Sequence, residues 1–272
     1  MELRTQALKV LCETDPTRKA EQARALYLAP PALDTELRLP APHGLPGRPE
    51  RPLLVPADQV PARSPFTPQG RAALLHAICH IEFNAINLAL DALWRFPGMP
   101  EDFYRDWLQV AGEEALHFTL LREHLRSLGH DYGDFDAHDG LWQMAERTRD
   151  DVLARMALVP RLAEARGLDA SPPIQAKLTK VGDQAGVALL DIILRDEIGH
   201  VSLGDKWFRY LCAEGNLPVE ATYRQLMDEY QAPRPIPPMN EAARLKAGFS
   251  AEELAALRPT SATRTTPAQE QG

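Results

Sequence analysis

Two copies of one pentapeptide, Glu113-Glu114-Ala115-Leu116-His117 and Asp196-Glu197-Ile198-Gly199-His200, constrain this chain more than any other feature. Each reads acid-Glu-x-x-His. On a helix, residues i and i+3 project from nearly the same side, so the Glu and His of each copy can grip one ion together. Two such helices facing one another can hold a pair of ions in the centre of a bundle. With 38 acids and only 8 His in 272 residues, composition alone predicts well under one match. Two copies imply selection or ancestry.

The surrounding sequence supplies the helices. Residues 69–96 carry Leu74, Leu75, Ile78, Ile81, Ile86, Leu90 and Leu93, which predicts a first long helix. Pro97-Gly98-Met99-Pro100 ends it and starts a second, 101–128. An Asp- and Gly-rich connection, 130–139, leads to a third helix, 140–166, which Gly167 is expected to close. Ser171-Pro172-Pro173 then opens a short helix to about 181, and the fourth long helix covers 183–213. The expected fold is all-α, with a bundle at 69–215. Before it, 1–68 reads as two short helices (2–28) and a Pro-rich arm (30–68) draped over the bundle, anchored by Leu53, Leu54 and Val55. After it, 216–272 reads as an extension with short helices at 219–230 and 241–257 and a polar tail from 258.

Composition narrows the function classes. The net charge is −8 and the pI near 5.5, so the chain repels nucleic-acid phosphates and anionic lipid at long range. No run of ~20 apolar residues stands out, so no membrane span is expected. Cys12, Cys79 and Cys212 are few, odd in number and far apart. That disfavours a disulfide framework or a zinc knuckle and suits a reducing, cytoplasmic setting.

A two-ion site needs about six ligands: one Glu from each of two helices and Glu-x-x-His from each of the others. Glu82 sits amid Ile78, Ile81 and Ile86, where a carboxylate is costly without a partner. It precedes Glu114 by 32 residues, with the 97–100 turn midway. On the third helix Glu164 precedes Glu197 by 33, nearly the same spacing, whereas Glu146 precedes it by 51. The candidate ligands are therefore Glu82, Glu114, His117, Glu164, Glu197 and His200. The preceding acids lie about 100° around each helix. Glu113 is expected to accept a hydrogen bond from His200, and Asp196 one from His117, fixing each imidazole. His76 and His80, spaced i,i+4, fall on another side from Glu82 and read as packing residues. Trp94, Trp107, Trp142 and Trp207 read as core or interface residues.

His80-Ile81-Glu82-Phe83-Asn84-Ala85-Ile86, Gly112-Glu113-Glu114-Ala115-Leu116-His117-Phe118, Tyr132-Gly133-Asp134-Phe135-Asp136-Ala137-His138-Asp139-Gly140-Leu141, Glu164-Ala165-Arg166-Gly167-Leu168-Asp169 and Asp196-Glu197-Ile198-Gly199-His200-Val201 resemble the DUF455 group of ferritin-like proteins. The resemblance covers most of 45–255. It implies a ferritin-like four-helix bundle with a long crossover between the second and third helices, and a di-iron-type site on the six ligands named above. It implies no particular reaction. Asn87 stands where the resembled group often carries an acid.

The leading expectation is an oxidase or hydroxylase that handles O2 or peroxide with two ions, iron or manganese. In it Glu114 and Glu197 bridge, His117 and His200 take one ion each, and Glu82 and Glu164 are terminal. The chain has no Cys-x-x-Cys, so its electrons would come from a separate donor. A monomer or small homo-oligomer is expected. The alternatives are an iron-binding or ferroxidase protein without an organic substrate, and a metal-free helical scaffold.

Overall fold

A computed structural model describes residues 2–258. All regular elements among them are helical. α1 (Leu3–Leu11) and α2 (Pro16–Leu28) precede the arm; α3 (Pro68–Arg95) and α4 (Glu101–Ser127) follow it. α5 (Gly140–Arg147), α6 (Val152–Leu158), a π turn (Val159–Glu164) and α7 (Ala165–Lys180) make up the third helical run. α8 (Gln184–Glu214) completes the set, and α9 (Val219–Glu229), α10 (Glu241–Lys246) and α11 (Ala251–Leu257) close the described chain.

Local chemistry sets the helix starts. Asp15, Thr67, Asp151 and Asp183 accept backbone N–H bonds at the starts of α2, α3, α6 and α8, and Pro16 and Pro68 occupy first-turn positions. α3 is apolar nearly all round because neighbours cover most of it. By length and composition it could cross a membrane, but 78% of its most apolar window is buried inside the fold, as in a core helix. One hydrophobic cluster joins α1 and α2 to α3, α4, α6 and α8.

The arm is held by polar hooks rather than by the expected leucines. Leu53 and Leu54 are exposed, while their backbone forms a bridge to Ala137 (Val55 N–H to Ala137 O, 2.8 Å; Ala137 N–H to Leu53 O, 3.0 Å). An extended Pro-rich segment has carbonyls without helical donors. Buried cations serve some of them. Arg4 donates to Thr35 O at 3.0 Å and to Trp94 O at 2.7 Å. Lys19 donates to Gly47 O and Asn87 Oδ1, both at 2.6 Å, and to Leu11 O at 3.1 Å. Any side chain at Gly47 would meet Cys12 O at 2.2 Å, so the arm passes α1 at a distance only glycine permits.

The third helical run departs from expectation. It is no single helix 140–166: it breaks at Thr148–Asp151, restarts as α6 and widens into the π turn. Gly167 does not close it. α7 continues through Pro172 and Pro173 to Lys180. Proline at 172 leaves the carbonyl of Leu168 without its helical donor. Asn240 Nδ2 takes that carbonyl at 3.2 Å, and Ser171 Oγ donates to Gly167 O at 2.8 Å. The expected 241–257 helix is two, α10 and α11, divided at Gly248, whose φ is +103°. The polar tail lies outside the described residues apart from Arg258.

Candidate metal centre

Three of the long helices converge on one buried group. Glu82 comes from the middle of α3, Glu114 and His117 from α4, and Glu197 from α8. Each offers one ligand atom, and these atoms lie within 4.8 Å of one another. A cluster of this composition could hold a metal ion. His200 adjoins it: Nδ1 stands 2.8 Å from Glu114 Oε1 and 3.9 Å from Glu197 Oε1. Glu164, at the end of the π turn, lies outside the tight foursome. Its carboxyl group is buried and faces the charges of Glu197, Glu114 and His200.

The two imidazoles share one design. Each points Nδ1 at the cluster and Nε2 at an acid from the opposite helix. His117 Nδ1 is 3.2 Å from Glu82 Oε2 and 3.4 Å from Glu114 Oε2, and its Nε2 donates to Asp196 Oδ2 at 3.1 Å. His200 Nε2 donates to Glu113 Oε2 at 2.7 Å. The acids are crossed, α8 serving the histidine of α4 and α4 that of α8. The i−1 position accounts for this: when Glu114 and Glu197 point inward, Glu113 and Asp196 swing toward the neighbouring helix. Such contacts orient a ring and raise its basicity.

Electrostatics agrees with a cation site. Burial, then the charge of Glu114, raises Glu82 well above the usual carboxylate range. Burial, then Glu197 and Glu114, does the same to Glu164. Burial opposes ionisation of Glu114 too, but His200 and His117 overcome it and lower that pKa. Burial works against charge on His117, yet Glu114 and Glu82 raise it to about 11. Without an ion, the imidazoles serve as counter-charges to the carboxylates.

Two buried ligand oxygens, Oε2 of Glu197 and Oε2 of Glu164, have no hydrogen-bond partner, while the oxygens of Glu114 meet the imidazoles only as ion pairs. Buried carboxylate oxygens left unpaired are costly. Cations among them would satisfy that demand, so the residues fit a metal centre in donor type and in unmet bonding.

The other histidines serve elsewhere. His76 Nε2 accepts from Gly133 N–H at 2.9 Å, and His80 lies 2.9 Å from Tyr132 Oη and 3.1 Å from His138 O. Burial lowers both to about 4. His124 pairs with Asp183 at 3.0 Å. The four tryptophans are buried. The sequence reading missed Arg161, a fully buried guanidinium in the π turn, and Arg155, which pairs with buried Asp91. Their sign was available: two arginines inside the apolar run 152–165 must find buried acids.

The family described as "Protein of unknown function (DUF455)" matches residues 12–255. The chain belongs to the DUF455 family. The match takes in all six candidate ligands and both crossed acids. A Haemophilus influenzae protein, described as uncharacterized, is 51% identical over 213 residues, covering 76% of this chain and 74% of that protein. No solved structure matches.

Proposed function

We propose that this DUF455 chain is a ferritin-like four-helix bundle holding two metal ions, iron or manganese, and acting on O2 or peroxide as an oxidase or hydroxylase. The crossed histidines carry this reading: two imidazoles, each fixed by an acid from the facing helix, aim Nδ1 at one set of buried carboxylates. A lone ion would need only one such imidazole, and a structural ion pair would not leave Oε2 of Glu197 and Oε2 of Glu164 buried without a partner.

In this reading Glu82 and His117 hold one ion, Glu164 and His200 the other, and Glu114 and Glu197 are shared. Glu114 suits sharing because its two oxygens face different imidazoles. Asp196 and Glu113 keep each Nε2 protonated and each Nδ1 inward. The burial of Glu82, Glu114, His117, Glu197 and His200 limits bulk water at the centre and strengthens the charge interactions within it. When bound, such a pair of ions supplies electrons to O2 or peroxide. The unpaired thiols favour a cytoplasmic setting, and a separate donor would return the electrons.

Anaerobic Fe2+ titration of the full chain with elemental analysis tests the site, with Glu114→Ala for comparison. Two ions per wild-type chain and fewer than one in the variant are expected. Mixing the loaded protein with O2 in a stopped-flow spectrophotometer tests the chemistry: an iron-dependent absorbance transient with O2 uptake is expected. A chain that binds no metal ends the reading.

A further inference from the structure

Arg161 stands three residues before Glu164, inside the π turn. Its side chain is fully buried, and a buried guanidinium demands counter-charge. Nε donates to Asp205 Oδ1 of α8 at 2.6 Å, and one terminal nitrogen donates to Glu253 Oε1 of α11 at 2.6 Å. The faces of Tyr223 and Phe249 lie 4.1 and 4.5 Å from its central carbon. Arg209 closes the ring, bonding both Asp205 and Glu253.

A small separate core backs the same place. Ala165, Leu168, Val201, Ala243, Ala247, Phe249 and Leu254 pack together, with Ile198 against them. Ala165, Val201 and Ile198 directly follow Glu164, His200 and Glu197. The C-terminal helices therefore brace the backbone of one half of the metal centre. The other half, Glu82, Glu114 and His117, rides on α3 and α4, which run without interruption.

We propose that α10–α11 form a clamp on one ion position, with Glu253 and Asp205 as positioning residues that act through Arg161 to present Glu164. This inference rests on the two-ion reading above. A π turn carries one more residue than its α-helical equivalent and is rarely stable by itself. Relaxing it by one residue turns the flanking side chains about 100° relative to each other. Release of Arg161 thus carries Glu164 off the site, while Glu82, Glu114 and His117 stay where they are.

Anaerobic Co2+ titration of the full chain, followed by its visible absorption bands, tests the clamp. Wild type should take two ions. Glu253→Ala should take the first as wild type does and bind the second about ten- to a hundredfold more weakly. Glu253 also accepts from Ser250 N–H in the cap of α11, so loss of the cap must be separated from loss of the clamp. Ser250→Ala removes the hydroxyl from that cap and leaves Glu253 to Arg161, and should bind both ions normally. Two normal ions in Glu253→Ala overturn the clamp and leave the two-ion reading standing. Equal weakening of both ions in Glu253→Ala, or a weakened second ion in Ser250→Ala, also overturns it. A wild-type chain that takes fewer than two ions removes the reading and the clamp together.

Discussion

Asp196 and Glu113 touch no other candidate ligand than an imidazole, so their substitution separates ring orientation from ligation. Asp196→Asn should weaken the ion held with His117 by about 10–100-fold, and Glu113→Gln that held with His200, without loss of helical circular dichroism. Competition with a coloured chelator measures both; wild-type affinity in either variant would show that the crossed bonds do not tune the site. Lys19 carries a different prediction. Its three acceptors match the three donors of an ammonium, but none bears a charge, and burial lowers its pKa to about 7. The unfolded lysine titrates near ~10.4. Between those values the unfolded state binds more protons, so stability should rise as pH climbs from about 7 toward ~10 and be flat, with respect to this group, below 7. Lys19→Met should remove that rise. Asn87→Asp, placing a carboxylate 2.6 Å from Nζ, should flatten it by holding the ammonium charged in both states. Urea denaturation at several pH values reads the slope.

Among the elements, α8 bears three glycines, and two of them, Gly199 and Gly204, look alike in sequence. A methyl group at Gly204 would meet Pro160 Cβ at 2.6 Å, Pro160 Cγ at 2.8 Å and the backbone nitrogen of Arg161 at 3.1 Å. The π turn approaches α8 through that gap, so Gly204→Ala should cost about 1–3 kcal/mol in denaturant unfolding. At Gly199 an added methyl meets nothing within 4 Å, and Gly199→Ala should be neutral or stabilising by up to about 1 kcal/mol. The reverse order would mean the turn is free to move. The same contrast shows what could be read beforehand. α3, α4 and α8 were legible because apolar spacing, Pro97-Gly98-Met99-Pro100 and Gly215 all agree. The crossed acids were legible because one helical residue fixes the rotation of the next. The third helical run was not, because its cause is remote: Gly167 and Pro172 read locally as stops, while the donor that lets the helix pass them, Asn240, lies some seventy residues on. The π turn inserts a residue without changing the composition of its run. The arm was legible as extended chain, but its hooks, Arg4 and Lys19, carry no local sign of the remote carbonyls they serve.

Across the whole molecule, burial and charge pull against each other at the centre. The main hydrophobic cluster runs from α1 to α9, and Glu82, Glu114, His117, Glu197 and His200 are buried on helices that share it. In the metal-free protein, Glu114 relies on imidazolium partners, while Glu82 and Glu164 are driven toward their neutral forms by burial and by neighbouring carboxylates. Cations that bind only the folded chain would relieve both strains, and mass action then adds their binding energy to stability. At a free-metal concentration of about 100 Kd, one site contributes roughly 2.7 kcal/mol, equivalent to about 5–10 °C in Tm for a chain of this size. Calorimetric scans at increasing Mn2+ or Co2+ should therefore show Tm climbing with the logarithm of metal concentration and falling back with chelator. Glu114→Gln keeps the size of the side chain and deletes the shared charge. Its Tm should be nearly blind to metal, and its metal-free form should be no less helical than wild type. A Tm that rises equally in wild type and Glu114→Gln would assign the stabilisation to surface carboxylates and dissociate the buried cluster from metal binding.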